Sequence, residues 1–262
     1  MFHLQDKSFT LLMTACIRPG ITSALNNPRF RADTNQRLKD YETALRFWLN
    51  YNAPQILNIV LIENSGYPLD SLKAISDNEN VYKRNIEFLQ IVPELIPPGI
   101  HYGYSELEMI DIAVEQSRLI NQTKFFIKVT GRLYFPKLYS LLRHTKDSTL
   151  FLSDSRDYAF AGKKKRYTIT TLLIVNKEFY KRKLKNSRFE MLPNECTHFE
   201  TLYYRILKPL ELRDKRIILR FPFNVNPVGY GAHWNVNYNS FTKKLESSLR
   251  GLFRIILPAC RI

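Results

Sequence analysis

The chain has 262 residues, of which 45% are hydrophobic and 13% aromatic, and this composition excludes a disordered chain because it suffices for a sizeable core. Three widely separated cysteines, at positions 16, 196 and 260, exclude a disulfide framework and a CxxC zinc motif. The formal net charge of +15 favours an anionic partner.

Two further features bear on location. No apolar run reaches the roughly 20 residues of a membrane-spanning helix. The first residues, MFHLQDKSFT, lack the basic start and the apolar stretch of a signal peptide. We therefore expect a cytoplasmic protein.

Strand and helix patterns alternate through the first half of the chain. Apolar and β-branched runs that begin at residues 9, 56, 86 and 125 predict four buried strands. Amphipathic patterns between them predict three helices, over 37–51, 68–75 and 105–120, with Ser105 as the N-cap of the third. Such alternation is typical of βαβ units, so we expect the α/β fold class, with a mainly parallel sheet flanked by helices.

The second half has a more mixed pattern. Residues 150–160 and 166–175 have strand-like patterns, whereas 177–184 and 198–207 have helical ones. No linker and no internal repeat interrupts the chain. We therefore expect one domain with an elaborated, mixed C-terminal half.

Polar or small residues follow three of the predicted strands. They are Thr14 to Arg18, Glu63 with Asn64, and Lys128 to Arg132 in the sequence KVTGR. Ligands of open parallel sheets bind beyond the carboxyl ends of the strands, which makes these residues candidates for a binding site. Each set is also compatible with an ordinary turn. Dinucleotide, P-loop, nucleophile-elbow and zinc-protease motifs are absent from the sequence.

A basic stretch runs from Lys163 to Arg188, with ten Lys or Arg residues and a single acidic residue, Glu178. Interleaved tyrosines and phenylalanines make it a candidate nucleic-acid surface, although no known reader motif accompanies it. A solvated basic surface is the other interpretation. A nucleic-acid-binding protein is therefore the alternative function from another class, and a specific nucleic-acid partner is not expected.

Seven segments carry a resemblance to a known family: TACIRP, RLKDYETAL, LIENSG, YGYSELEMI, KVTGR, SDSR and ECTHFETLYYRIL. In this order they resemble GT-A-type nucleotide-sugar glycosyltransferases, in particular bacterial-type enzymes that build surface polysaccharide or lipopolysaccharide. The resemblance implies a GT-A-like (Rossmann-like) fold, a UDP-sugar donor and a cell-surface or lipid-linked glycan acceptor. It divides the chain into a nucleotide-binding half (1–135), an acceptor-side half (136–240) and a C-terminal helix (241–262).

One departure from the family pattern concerns the metal. Metal-dependent members carry two acids, the DxD motif, where this chain has Thr130, Gly131 and Arg132. Our hypothesis is that Lys128 and Arg132 neutralise the departing diphosphate without an obligatory metal, leaving Mn²⁺ or Mg²⁺ as optional. The ordinary alternative is that Arg132 is a surface salt-bridge partner after a tight turn. Gly131 would allow the diphosphate to approach the backbone. The missing acids also leave open a transferase-like scaffold without catalysis.

The resemblance also implies roles at the donor site. Arg37 would reach the phosphates and His233 the diphosphate, although a solvated arginine and a packed loop histidine are the ordinary alternatives. The residues expected to surround the nucleoside are Thr14, Ala15, Arg18, Glu63 and Asn64.

Three residues of the second half, Glu195, Glu200 and Asp154, are candidates for the chemistry. If the mechanism is inverting, Glu200 is the preferred general base over Glu195, because apolar neighbours would raise the pKa of its carboxyl. Asp154, with Arg156 next to it, would bind donor-sugar hydroxyls or a displaced metal, unless this segment is an Asx-turn or a helix cap. Glu106 is explained by the dipole of its helix and is not expected to be catalytic.

The last helix is predicted to be amphipathic. Phe241, Leu245, Leu249, Leu252 and Ile256 form one stripe, with lysines and arginines largely opposite. Such a basic helix would place the protein on an anionic membrane surface. The alternative is a helix packed on its own domain.

Overall fold

The structure is a computed structural model, and it describes residues 7–20, 29–158, 165–193 and 195–256. The strands are β1 Phe9–Ala15, β2 Ile56–Glu63, β3 Asn85–Gln90, β4 Phe125–Thr130, β5 Leu133–Tyr134, β6 Phe151–Asp157, β7 Arg166–Asn176, β8 Ile217–Ile218, β9 Val228–Gly231 and β10 Val236–Asn237. The helices are α1 Thr34–Leu49, α2 Asp70–Asn78, α3 Gly103–Gln116, α4 Arg118–Asn121, α5 Leu138–His144, α6 Lys177–Lys183, α7 Phe199–Arg213 and α8 Phe241–Ile256.

Seven strands form the central sheet in the order β3-β2-β1-β4-β7-β6-β8. The first four are parallel to one another, whereas β7 runs antiparallel to both β4 and β6. A smaller sheet joins β10, β9 and β5. The expected α/β fold class is therefore confirmed, as is the more mixed second half.

Both faces of the central sheet are buried, because successive side chains of a strand point to opposite sides. In β1, Leu11 and Met13 belong to the core that includes Tyr41 and Trp48 of α1. Leu12 belongs to the opposite core, with α3 and α7. Burial on both faces explains why these strands are continuous apolar runs in the sequence.

The start of α3 differs from the prediction. The helix begins at Gly103, with Tyr102 as an N-cap that makes no side-chain hydrogen bond, so the assignment of Ser105 as N-cap is wrong. A Cβ on residue 103 would lie 2.8 Å from the Cβ of Phe199, so the glycine lets α3 begin directly against α7. The predicted helix also stops early, because Ser117 is extended and caps the short helix α4.

Gly131 has a packing reason to be a glycine. Its N–H donates to the carbonyl of Thr14 at 2.9 Å and joins the ends of β4 and β1. A Cβ here would lie 2.7 Å from that carbonyl oxygen and 3.1 Å from the ring of Tyr41. This contact accounts for the residue without a ligand, and the approach of a diphosphate stays a prediction.

Candidate active site

The polar ends of three parallel strands meet at one edge of the sheet. The register places Thr14 of β1 beside Thr130 of β4, and Ala15 beside Glu63 of β2. Because β1, β2 and β4 are parallel neighbours, the three residue sets identified from the sequence adjoin each other.

Glu106, in the first turn of α3, joins these strand ends. Its Oε1 atom accepts hydrogen bonds from Thr14 Oγ1 at 2.9 Å and from Thr130 Oγ1 at 3.4 Å. The same oxygen forms an ion pair with Lys128 Nζ at 2.6 Å. Burial raises the pKa of this carboxyl, but the Lys128 ammonium and the bonds from Lys128 and Thr14 outweigh that effect and lower the pKa overall.

Lys128 is fully buried in β4, with 0% of its side chain exposed. Besides Glu106, its ammonium donates to the carbonyl of Thr170 at 2.7 Å and to Thr130 Oγ1 at 3.4 Å. These three partners occupy the three N–H donors of a lysine. A phosphate would have to displace one of them, so contact between Lys128 and a ligand stays a prediction.

Arg132 lies at the same edge and is half-buried. Its Nε donates to the carbonyl of Tyr230 at 3.0 Å, and its Nη1 to the hydroxyl of Tyr41 at 3.2 Å. A guanidinium carries five N–H donors, so these two bonds orient the group and leave other N–H donors for a ligand.

Glu200, in the first turn of α7, lies across the network from Glu106. Thr170 Oγ1 donates to its Oε1 at 3.2 Å, and the Thr170 carbonyl in turn accepts from Lys128. Burial, supported by the negative charge of Glu106, raises the pKa of the Glu200 carboxyl above the ordinary glutamate value. Two neighbouring carboxyl groups thus have pKa values shifted in opposite directions.

Glu200 also lines a cavity of about 520 Å³ between β7 and α8. Thr170, Tyr238 and residues of α8 also line this cavity. This volume is within the usual range of small-molecule sites.

The expected nucleoside residues are arranged around the ends of β1 and β2. Glu63 is fully buried and accepts from the backbone N–H groups of Ile17 at 3.2 Å and Ser65 at 2.9 Å, so it fixes both loops. The Oδ1 atom of Asn64 is buried and accepts no hydrogen bond from the described residues. Arg18 is exposed, with its guanidinium 5.3 Å from the centre of the Tyr67 ring.

Arg37 is only 3% exposed, so its interpretation as a solvated arginine is wrong. Its Nε donates to the carbonyl of Cys16 at 2.8 Å, and its Nη1 to the carbonyl of Arg31 at 3.2 Å. The side chain shapes the loop after β1, and a contact with phosphates stays a prediction.

Asp154 and Arg156 lie within β6, so the alternative of an Asx-turn or helix cap is wrong. Asp154 is buried and forms ion pairs with Arg156, at 2.5 Å, and with Arg254 of α8. It also accepts from the N–H of Phe221 at 3.3 Å. These contacts attach α8 to the central sheet, and a contact of Asp154 with sugar stays a prediction.

His233 belongs to a group of rings. Its ring centre lies 5.5 Å from that of His101, which stacks on His198 at 4.3 Å. Burial lowers the pKa of His101 to about 3, and burial also lowers the pKa of His233. His101 and His233 are therefore neutral at physiological pH, and a diphosphate contact of His233 stays a prediction.

The basic stretch is partly neutralised where the structure describes it; Lys163 and Lys164 lie outside the described residues. Arg166 pairs with Asp157 at 3.2 Å, and Lys185 with Glu115 at 3.1 Å. Arg188 is 8% exposed and pairs with Glu94 at 2.9 Å. The stretch is thus not uniformly a solvated basic surface.

The helix α8 has the predicted amphipathic pattern but an inverted orientation. Large apolar side chains point outward, and Ser247 is its only buried residue among 241–256. The exposed apolar side chains are Phe241, Leu245, Leu249, Leu252, Phe253, Ile255 and Ile256. A helix packed on its own domain normally buries this stripe, so the packed alternative fails for the apolar face.

Two features are absent from the described ranges. Within 7–20, 29–158, 165–193 and 195–256, no group of three His, Cys, Asp or Glu side chains is placed to hold a metal ion. In the same ranges, no helix has the length and hydropathy needed to cross a bilayer.

No protein-family model and no curated protein matches the chain. Similar solved structures include mouse xyloside xylosyltransferase 1, with 9% identity, a TM-score of 0.44, and coverage of 80% of this chain and 83% of that one. The mannosyltransferase Ktr4p of S. cerevisiae has 9% identity and a TM-score of 0.45, with coverage of 77% of this chain and 66% of that one. 4-Diphosphocytidyl-2C-methyl-D-erythritol synthase of Anaerococcus prevotii has 11% identity and a TM-score of 0.45, with coverage of 93% of this chain and 96% of that one. At these identities and TM-scores the likeness assigns neither a family nor an activity to this chain.

The pair of Glu106 and Lys128 generates a stability prediction. Glu106→Gln should lower the free energy of unfolding by roughly 3–5 kcal/mol, because it leaves the Lys128 ammonium buried and unpaired. Urea denaturation measures the change. The loss should appear above the ordinary glutamate pKa and vanish as the pH falls through the lowered pKa of folded Glu106, where the native carboxyl is protonated too.

The control is Glu42→Gln, which removes a more exposed pair with Arg46 at 3.7 Å and should cost less than about 1 kcal/mol. Adding Lys128→Met to Glu106→Gln should recover most of the loss. Equal effects of Glu42→Gln and Glu106→Gln would contradict the structural role of the buried pair.

Proposed function

We propose that this protein is a glycosyltransferase that moves a sugar from a UDP-sugar to a cell-surface or lipid-linked glycan. The observation that supports it is a pair of glutamates, Glu106 and Glu200, whose pKa values are shifted apart beside a sugar-sized cavity and the polar ends of three parallel strands. Environments that shift two carboxyl groups apart are typical of acid–base chemistry.

In this proposal the nucleoside binds beyond β1 and β2, with Thr14, Ala15, Arg18 and Glu63 around it. The buried Oδ1 of Asn64 is an acceptor suited to the N3–H of uracil, and an unpaired buried oxygen costs free energy until a ligand satisfies it. The neighbouring loops are already fixed by Glu63, so the pocket is largely organised before the donor binds.

The proposed reaction breaks the bond between the anomeric carbon and the diphosphate oxygen. Glu200 takes the proton of the acceptor hydroxyl as that oxygen attacks the anomeric carbon. The bonding electrons leave with the diphosphate, where Arg132 neutralises the developing charge. Lys128 and Arg37 hold the strand end and the loop that frame this position, and the step requires no divalent cation, with Mn²⁺ or Mg²⁺ as an optional addition.

The proposed acceptor lies at a membrane, on which α8 docks. Its outward apolar stripe would enter the headgroup region of an anionic bilayer, and the net charge of +15 favours such a surface. The protein would then act peripherally on the inner face of a membrane.

Nucleotide binding tests the donor site. UDP at about 100 times its Kd should raise the Tm by roughly 5–10 °C, equivalent to about 2.7 kcal/mol of stabilisation. The rise in Tm should be larger with UDP than with UMP, GDP or CMP, both with and without EDTA. Arg132→Met should abolish the preference for UDP over UMP, whereas the exposed control Arg143→Met should retain it.

Two results would overturn the donor assignment. The first is the absence of any nucleotide effect together with salt-dependent binding of random oligonucleotides, which would favour the nucleic-acid function. The second is a thermal shift with UDP that disappears with EDTA and returns with Mn²⁺. This result would show that a metal ion, and not Arg132, neutralises the diphosphate.

Glu200 should control turnover. With the UDP-sugar that gives the largest thermal shift, Glu200→Gln should slow UDP release by about 10²–10⁴-fold while the thermal shift persists. The native rate should fall as the pH drops through the raised pKa of Glu200, because only the carboxylate accepts a proton. The exposed control Glu195→Gln should keep the native rate and pH profile. Native turnover in Glu200→Gln would exclude it as the base.

Vesicle binding tests α8. The protein should sediment with phosphatidylglycerol vesicles and less with phosphatidylcholine vesicles. Leu249→Asn/Leu252→Asn should weaken sedimentation. The control Leu212→Asn makes the same type of substitution once, at a side chain 77% exposed on α7, and should not weaken it. A dimer in solution that the α8 variant dissociates, without vesicle binding, would show that a second copy covers this face.

A further inference from the structure

The cavity between β7 and α8 is lined by an excess of positive charge. Five cationic side chains reach it, against the carboxyl groups of Asp154, Glu200 and Glu246. The cationic residues are Lys137, Arg156, Lys243, Lys244 and Arg250.

The carboxylates are already shared between cations. Glu246 pairs with Lys243 at 2.7 Å and with Arg250 at 2.5 Å, so one negative charge faces two positive ones. Asp154 is likewise shared between Arg156 and Arg254. The third, Glu200, is the group whose raised pKa already disfavours its negative charge.

Two of the three lysines that line the cavity make no ion pair with any described residue. Lys137, in the turn that precedes α5, and Lys244, on α8, both line the cavity and are exposed to it or to solvent. They approach the cavity from different elements. Both are therefore available to a ligand bound in this cavity.

The inverted orientation of α8 makes this arrangement unusual for a surface helix. Its polar stripe, including Lys243, Ser247 and Arg250, faces the cavity, while its apolar stripe faces outward. On a fully solvated face, salt would screen the interactions of these cations with a ligand. Here they line a cavity that is also lined by Tyr238 and the proposed base Glu200.

We propose that this cavity binds an acceptor sugar that carries a phosphate or carboxylate group, with Lys137 and Lys244 as its principal anion contacts. The inference rests on the proposed function and narrows its acceptor to an anionic glycan. Tyr238 also lines the cavity, and an aromatic ring is a surface on which a sugar can pack. The anionic group belongs to a soluble sugar phosphate or to a lipid-linked one, and the chemistry recognised is the same.

Calorimetric titration of the full chain tests the site with glucose 6-phosphate, glucuronate, glucose and inorganic phosphate, each in the presence of UDP. Glucose 6-phosphate and glucuronate should bind at least about tenfold more tightly than glucose, the factor expected for one charge-assisted contact. Lys137→Gln/Lys244→Gln should remove that preference. Lys181→Gln/Lys183→Gln, which removes the same charge from the exposed face of α6, should retain it.

Three results would overturn the inference: equal binding of glucose and glucose 6-phosphate, equal binding of inorganic phosphate and glucose 6-phosphate, or the same loss in both double variants. Phosphatidylglycerol vesicles distinguish the sources. Vesicle binding that glucose 6-phosphate displaces, and that Lys137→Gln/Lys244→Gln weakens, identifies a lipid-borne group and supports the anion site. Vesicle binding that neither changes identifies a soluble group, provided that the calorimetric preference for glucose 6-phosphate is present.

The outcomes separate this inference from the donor assignment. A thermal shift with UDP but no preference for charged sugars overturns the anionic acceptor and leaves the transferase proposal standing. Discrimination between charged and neutral sugars without any nucleotide effect supports the anion site and overturns the transferase.

Discussion

The buried ion pair of Lys128 and Glu106 is the constraint on which the site depends. Taking two charges out of water costs several kcal/mol per ion, and the pair is maintained only because every donor of the lysine is satisfied. Those bonds connect β4 to α3 and, through the Thr170 carbonyl, to β7. One ammonium group thereby fixes the parallel and the antiparallel parts of the sheet against each other at the strand ends.

Around the same ion pair, the pKa values of Glu106 and Glu200 are shifted in opposite directions. Glu106 faces a cation at 2.6 Å and remains ionised, and its charge disfavours ionisation of Glu200. Both side chains lie in the first turn of a helix, where the dipole favours a negative charge. Burial raises the pKa of both carboxyls, so their difference arises from the position of the lysine and from the hydrogen bonds that Glu106 accepts.

The sequence predicts those features that local patterns determine. Continuous apolar runs revealed the buried strands, and the polar residues after β1, β2 and β4 indicated the edge where they meet. The role of Glu106 has no such signal, because Thr14 and Lys128 are distant in sequence and only the sheet order brings them to one carboxylate. The stripe of α8 was likewise visible, but its outward direction depends on Arg254 reaching Asp154, a contact between residues 100 positions apart.

The contact of Gly103 with Phe199 has a consequence for the chemistry. Each residue lies within a few positions of one of the two glutamates, at the starts of α3 and α7, and the backbones meet there because residue 103 has no side chain. The spacing of the two carboxyl groups is therefore set by an uncharged van der Waals contact between helices. A single methyl group at this junction would push the helices apart and change the separation of the two carboxyl groups without touching a titratable atom.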